Sequence, residues 1–263
     1  MMEADLKKSL GEYVLNMPSL PCSAAMSLEV CNNYYTSPAD LVRLVSLDPV
    51  FLFRLLDLAN NIYEDREQLI YNPARAIVLL GLNTVKNQVV SAINNCSLVN
   101  SNKKKDSFDA ASFWKHSLST GIFSREIAVK RNLSKEDAEI FFTAGFLHDI
   151  NKIPCKQKLP AGCSLSSLEW LKSPIGDAIN YHDKPEAYSG NYKDAVYTVF
   201  LASYFTENLE VNSPSGSNKK KIPSVIYESL CINLDIFDEI KDNVLNEVRE
   251  AEKFLKPAHH REY

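Results

Sequence analysis

Three histidines and one aspartate are the residues of this chain whose types could carry chemistry. His148 and Asp149 stand side by side within residues 144–152, His116 precedes them, and His182 follows. An imidazole next to a carboxylate suits a hard or borderline divalent metal ion, which can activate water against a phosphate ester. These side chains come from three separated segments, and they could converge in a helical core.

Other residues with metal-binding side chains give weaker signals. The remaining two of the five histidines, His259 and His260, stand in the C-terminal tail, which we expect to be frayed. None of the six cysteines forms a C-x-x-C pair, and the spacing of Cys155 and Cys163 fits no common zinc module. The cysteines therefore indicate reduced, structural thiols in a cytoplasm.

Composition limits the class of protein. The 263 residues are 45% hydrophobic with a net charge of −4, enough to build a core and without a global attraction to nucleic acid or membrane. No apolar run approaches the roughly 20 residues that span a bilayer, and the first residues do not resemble a signal peptide. Lysine triplets in two polar stretches, 100–107 and 212–221, are interpreted as charged loop tips.

The N-terminal part of the chain is predicted to be helical almost throughout. Ser37, Asp48 and Asn72 each precede a proline, which is the pattern of an N-cap followed by the first turn of a helix. Gly81 is predicted to end the third of these helices in the left-handed conformation, and Asn83 is predicted to cap the next.

The central and C-terminal parts carry the chemical residues on further helices. One is predicted over 111–130 and bears His116, and a strongly apolar one over 138–150 starts after Ser134 and ends at the His-Asp pair. Two more are predicted over 165–180 and 194–209, and an amphipathic helix in the tail repeats an apolar residue every four positions from Ile236. Strand signals are weak everywhere, so we predict an all-α fold, an irregular multi-helix bundle.

Six segments in this order resemble the HDOD family, and together they cover most of residues 13–210. They are residues 20–21, 41–60, 76–82, 113–117, 144–152 and 178–182. The family is bacterial and is related to the HD superfamily of metal-dependent phosphohydrolases, of which it is generally regarded as a regulatory, catalytically degenerate branch. The resemblance implies an N-terminal helical lobe over 1–105, an HD-like helical lobe over 106–211 and C-terminal helices over 222–256, with 13–255 forming one HDOD unit.

The resemblance also implies which residues would form a site. The HD pattern places metal ligands at a first histidine, a His-Asp pair and a final aspartate. The final aspartate falls on Ser203, whose neutral hydroxyl is a poor ligand. The family often has two histidines where this chain has His182-Asp183, and Asp183 could partly compensate for the missing carboxylate. The implied site is therefore vestigial, and its residues are His116, His148, Asp149, His182 and Asp183. In an active relative, Asp149 and Lys152 would be the catalytic residues. Without a metal, the same histidines and aspartate would be a structural hydrogen-bonding node.

Three functions remain open at this point. The first is a non-catalytic regulatory module in a bacterial cytoplasm, which acts by contact with a signalling protein or by binding a small ligand and needs no cofactor. The second is a metal-dependent phosphohydrolase for nucleotides or cyclic nucleotides, with Mn, Fe, Mg or Zn; the absence of a Gly-Tyr-Pro motif argues against cyclic-di-GMP as its substrate. The third, nucleic-acid binding through the lysine loops, is disfavoured by the acidic balance. A homo-oligomer is also open, because Phe51, Phe53, Ile62 and Tyr63 could be interface or core.

Overall fold

The computed structural model describes residues 2–62, 69–96, 108–155, 158–159, 164–210, 222–233 and 235–255. Within these residues every regular element is helical: twelve α-helices and four short 3-10 helices, with no strand. The predicted all-α fold is confirmed. The lysine triplets, the terminal histidines, Tyr63 and Cys163 lie outside the described residues.

The chain divides into two compact units that are each discontinuous in sequence. The first unit is formed by residues 1–114, 150–170 and 250–263, and the second by residues 115–149 and 171–249. Among the described helices, no single one is long and apolar enough to cross a membrane; one pair, separated at Gly81, passes that test only jointly and is bent by 110°.

The first six described helices of the chain lie in the first unit. They are α1 (Met2–Leu15), α2 (Pro21–Asn32), α3 (Pro38–Val45), α4 (Pro49–Ile62), α5 (Pro73–Leu80) and α6 (Leu82–Cys96). Ser37 and Asp40 form a reciprocal capping box at the start of α3, and the Asn72 side chain accepts a hydrogen bond from the Arg75 amide. The predicted proline-marked starts of α3, α4 and α5 are therefore confirmed.

The apolar side chains of α4 hold the first unit together. Eleven of its fourteen residues are buried, and α4 packs against α5 and α6. The Phe53 ring lies 5.3 Å from the Trp170 ring, between centroids, and the Trp170 indole donates a 3.0 Å hydrogen bond to Asp57. Phe51 and Phe53 are thus core residues, whereas Ile62 is 56% exposed.

The second unit contains the helices that bear the His-Asp pair. They are α7 (Ala110–Lys130), whose first turn belongs to the first unit, α8 (Lys135–Leu147), α9 (Pro174–Tyr181), α10 (Lys193–Glu210), α11 (Ser224–Leu230) and α12 (Ile236–Leu255). The four-residue repeat of α12 is fully buried at Ile236, Ile240, Val244 and Val248. Its polar face is tied to α7 by ion pairs from Arg125 to Glu247 and from Lys130 to Glu239, each 2.6 Å long.

Four local predictions were wrong. Gly81 does have a positive φ of 77°, but its ψ of 151° is not left-handed helical, and α6 begins at Leu82, so Asn83 lies inside that helix. The helix predicted over 165–180 is two short 3-10 turns followed by α9, because Ser173 caps a new helix and Pro174 occupies its first turn. The helix predicted to reach Ile150 ends at Leu147, and a separate 3-10 turn follows at Ile150–Lys152.

Candidate metal centre

Helix ends position the candidate ligands. His148 is the C-cap of α8 and Asp149 follows it, while His182 is the C-cap of α9, which packs against α8. His116 lies near the start of α7. This helix approaches α8 closely at Gly121, where an added Cβ atom would lie 3.0 Å from the Cβ of Phe146. The fold therefore brings all three predicted histidine segments to one place in the second unit.

The side-chain atoms converge closely. Nε2 of His116 lies 3.2 Å from Nε2 of His148 and 4.0 Å from Oδ2 of Asp149, and Nε2 of His148 lies 3.4 Å from the same oxygen. The three ligand atoms all lie within 4.8 Å of one another. His148 and Asp149 are buried, at 1% and 5% exposure, whereas His116 is half-buried.

The other oxygen of Asp149 faces a second pair of possible metal ligands. Oδ1 of Asp149 lies 3.4 Å from Nε2 of His182, and that nitrogen lies 3.4 Å from Oδ1 of Asp183. His182 is buried, but the Asp183 side chain is 73% exposed. The five predicted residues are thus gathered on two sides of one carboxylate.

Backbone carbonyls fix the tautomers of the two buried histidines. Nδ1 of His148 lies 2.7 Å from the Gly145 carbonyl, and Nδ1 of His182 lies 3.0 Å from the Ala178 carbonyl. Because a carbonyl only accepts, each Nδ1 must carry the proton, so each neutral ring turns the lone pair of Nε2 toward Asp149. This is the outer hydrogen bond that orients histidine ligands in metal centres.

Burial and the nearby carboxylates shift the pKa values of the two histidines in opposite directions. Burial lowers the pKa of His148 to about 3, which keeps that ring neutral. Burial also acts to lower the pKa of His182, but the hydrogen bond that the protonated Nε2 of His182 donates to Asp149 and the charges of Asp183 and Asp149 outweigh it and raise that pKa.

The donor set fits a divalent metal ion. Ligand atoms about 2.0–2.2 Å from one ion lie roughly 3–3.5 Å apart at adjacent positions and about 4 Å apart at opposite ones. The separations of 3.2, 3.4 and 4.0 Å among His116, His148 and Asp149 match that range. Imidazole nitrogens with one carboxylate suit Zn, Fe or Mn better than Mg, which prefers oxygen ligands.

The other predicted residues are Ser203, Lys152 and Cys155. Ser203 is half-buried on α10, one turn from Thr206, whose hydroxyl lies 3.2 Å from that of Thr120 on α7. Lys152 is exposed and belongs to the first unit, as does Cys155. The resemblance assigns the last aspartate of the HD pattern to Ser203, whose side chain carries a hydroxyl in place of a carboxylate.

Sequence reasoning missed the two carbonyls that orient the histidines. Gly145 and Ala178 contribute only backbone, so their residue types gave no chemical signal. Their spacing did carry a signal, because each lies one helical turn before a histidine at a helix end. Gly145 is three residues before His148, and Ala178 is four residues before His182. A histidine at a helix C-terminus can therefore be expected to turn Nδ1 back onto the last carbonyls.

Comparisons with known proteins agree with this architecture. The HDOD domain model matches residues 17–169. The MmoQ response regulator from Methylococcus capsulatus str. Bath has a similar fold, with a TM-score of 0.62 at 17% identity over 86% of this chain and 97% of that one. An HDOD domain protein from Geobacter sulfurreducens matches with a TM-score of 0.40 at 19% identity over 97% and 99% of the two chains. No curated protein matches the sequence.

Proposed function

This chain belongs to the HDOD domain family, and we propose that it is a non-catalytic signalling module of a bacterial cytoplasm whose His-Asp cluster holds one divalent cation. It acts by contact with a partner protein or by binding a small ligand. The observation that carries the proposal is the cluster itself, in which the tautomers are fixed but the only buried carboxylate is Asp149.

This cluster would neutralise a bound ion only in part. A dication held by neutral imidazoles and one carboxylate keeps an excess positive charge, since Ser203 offers a neutral hydroxyl and the Asp183 carboxylate is largely in solvent. Once bound, the ion would supply Lewis-acid character to whatever group reached it. The side chains themselves would join α7, α8 and α9, so loading and loss of the ion would change the stability of the second unit.

A metal-dependent phosphohydrolase is the second candidate. It is favoured by the three donor atoms of His116, His148 and Asp149, which lie within 4.8 Å of one another and fit a metal ion without further rearrangement. In that case Asp183 would replace the missing carboxylate. Both proposed functions include the bound ion, but only the phosphohydrolase would hydrolyse a substrate.

Metal analysis and an activity assay separate them. We expect the wild type, reconstituted with Mn²⁺, Fe²⁺ or Zn²⁺ and desalted, to retain about one ion per chain, because the donors are already oriented. Asp149→Asn should retain at least tenfold less, and the exposed Asp242→Asn should retain the wild-type amount. A desalted wild type that holds no ion, or an Asp149→Asn variant that holds as much, contradicts the metal site.

The activity assay uses bis(p-nitrophenyl) phosphate with the reconstituted wild type. We expect no hydrolysis above that of the same metal in buffer. Hydrolysis that requires the ion, survives Asp242→Asn and disappears in Asp149→Asn would overturn the non-catalytic proposal in favour of the phosphohydrolase.

A further inference from the structure

Two tyrosines at the turn between α2 and α3 lie in solvent in spite of their size. Tyr34 is 97% exposed and Tyr35 is 92% exposed, and the next most exposed large hydrophobic side chain among the described residues is Val78, at 79%. Turns are usually built from Gly, Pro, Asn, Asp and Ser, whereas tyrosine rings supply much of the contact area of cores and interfaces. Two adjacent rings in solvent therefore leave a large apolar contact unmade.

Hydrogen bonds around Asn33 fix the backbone of this turn. The Tyr35 amide donates to the Asn33 side-chain oxygen at 2.9 Å, and the Thr36 amide donates to the Asn33 carbonyl at 3.3 Å. The Thr36 hydroxyl donates to the carbonyl of Val30, in the last turn of α2. The turn is thus ordered by groups other than the two rings, and an ordered aromatic side chain loses little conformational entropy when a partner covers it.

The charged group closest to this turn is a lysine without a counter-charge. Nζ of Lys86, on α6, donates to the carbonyl of Asn33, the residue before Tyr34, at 3.2 Å. That acceptor is neutral, and Lys86 has no ion pair among the described residues. Residues 69–96, which include α5 and α6, contain Arg75 and Lys86 but no aspartate or glutamate, in a chain whose net charge is −4. This part of the surface therefore has the opposite sign to the chain as a whole.

The carboxylates of the two flanking helices do not neutralise Lys86. Asp40 is the one acidic residue of α3, and its Oδ2 accepts from the amide and the hydroxyl of Ser37, at 2.8 and 2.7 Å. Glu29 is the one acidic residue of α2, and it is exposed one helical turn before the tyrosines. Neither carboxylate lies within the 4.0 Å of an ion pair with Lys86.

We propose that Tyr34, Tyr35 and Lys86 form a docking surface for an acidic segment of a protein partner. Apolar side chains of the partner cover the two rings, and a partner carboxylate pairs with the ammonium group. Tyrosines are enriched among the residues that carry binding energy, and charge complementarity favours the correct partner. The inference rests on the proposed signalling function and names the surface and the partner chemistry that this function would use.

A protein partner fits this surface better than a nucleic acid does. Bases of a single strand also stack on tyrosines. However, a nucleic acid carries a phosphate at every nucleotide and is held by several cations along its path, whereas a protein segment needs only one carboxylate at Lys86. Nucleic acid is therefore an outcome that the test must distinguish.

Site-specific photocrosslinking of the full chain in its native host identifies the partner. The photoreactive residue p-benzoyl-phenylalanine replaces Tyr35, and in the control it replaces Val225, an apolar residue of α11 that is 49% exposed. We expect position 35 to crosslink to one protein, through a segment with more Asp and Glu than Lys and Arg, and position 225 not to do so. The proposal is overturned by no crosslink from position 35, or by one to nucleic acid, to a basic segment or only to other copies of this chain.

The affinity for the purified partner then measures each contact. We expect Tyr34→Ser combined with Tyr35→Ser to weaken binding by about tenfold or more, and Lys86→Glu to weaken it by about tenfold and to reduce its salt dependence. Lys8→Glu, the same charge reversal at an exposed lysine of α1, should bind as the wild type does. Unchanged affinity of the tyrosine variant, or equal losses for Lys8→Glu and Lys86→Glu, contradicts the docking surface.

Different measurements would overturn the two proposals. Without a crosslink from position 35, the docking surface is wrong, while a non-catalytic module that binds a small ligand still stands. Metal-dependent hydrolysis of bis(p-nitrophenyl) phosphate overturns the non-catalytic function, whatever position 35 contacts.

Discussion

Gly145→Ala is expected to lower the Tm of the protein by about 4–8 °C, which corresponds to about 2 kcal/mol. Gly145 lies in the last turn of α8, where that helix contacts α7. A Cβ at this position would lie 2.7 Å from the Thr120 carbonyl oxygen and 3.0 Å from Ser124 Cβ. The Ser124 hydroxyl can rotate away, but the Ser124 Cβ and the Thr120 carbonyl are fixed to the backbone of α7, so α7 and α8 must separate.

Two further variants isolate this cause. Gly11→Ala, in the interior of α1, meets nothing within 4 Å and should stabilise the protein by about 0.5–1 kcal/mol through helix propensity alone. Adding Ser124→Ala to Gly145→Ala should recover only part of the loss, because the contact with the backbone oxygen remains. Thermal unfolding followed by far-UV circular dichroism measures all three, and a Gly145→Ala variant as stable as the wild type would contradict the close approach.

Gly145→Ala is also expected to affect the proposed metal centre. The Gly145 carbonyl accepts from Nδ1 of His148, and His148 Nε2 lies only 3.2 Å from Nε2 of His116 on the opposite helix. Separation of α7 from α8 therefore spreads the ligand atoms. We expect Gly145→Ala to retain less of a reconstituted ion than the wild type, while Gly11→Ala retains the same amount.

Local chemistry explains which parts of the fold could be predicted from the sequence. The starts of three helices could be predicted at Ser37, Asp48 and Asn72, because a cap and the proline that follows it affect only the first turn of the helix. Helix α12 could be predicted from the apolar repeat between Ile236 and Val248, because residues at this spacing lie on one face of an α-helix. The helix predicted across Ser173-Pro174 was wrong because the same signal, a cap followed by a proline, starts a new helix there.

Contacts between distant segments explain what could not be predicted. His116, His148 and His182 were recognised from their types and from the family resemblance, but their separations depend on how closely α7 and α8 approach. That distance is set by small residues such as Gly121 and Gly145, which carry no chemical signal. Arg54 lies in an apolar run of α4, and only the folded unit shows that it is buried and that its Nε has no hydrogen-bond partner among the described residues.

Asp48→Ala is expected to destabilise the first unit by about 3–5 kcal/mol, more than any surface substitution in it. Asp48 is fully buried before the first turn of α4. Oδ1 accepts from the amides of Val50 at 2.8 Å and Phe51 at 3.2 Å, and Oδ2 accepts from the Leu20 amide at 3.1 Å. Alanine leaves three buried amides without an acceptor, and each costs about 1–3 kcal/mol.

Asp40→Ala is the matched control, because Asp40 accepts a comparable capping hydrogen bond from Ser37 but on the surface of α3. Water can replace that acceptor, so we expect a loss of only about 0.5–1 kcal/mol. Asp48→Asn should fall between the two, since its one remaining oxygen can serve Val50 and Phe51 but not also Leu20. Equal losses for Asp40→Ala and Asp48→Ala would show that burial does not set the cost.

Tryptophan fluorescence during urea unfolding is the measurement suited to Asp48. Both tryptophans of the chain, Trp114 and Trp170, belong to the first unit and are buried in it. The Trp114 indole donates a 2.8 Å hydrogen bond to the carbonyl of Leu47, the residue before Asp48. Because the probe adjoins the substituted position, a lower urea midpoint with an unchanged slope assigns the loss to the stability of this unit. The order Asp40→Ala, Asp48→Asn, Asp48→Ala in falling midpoint then ranks the cost by the number of buried amides left without an acceptor.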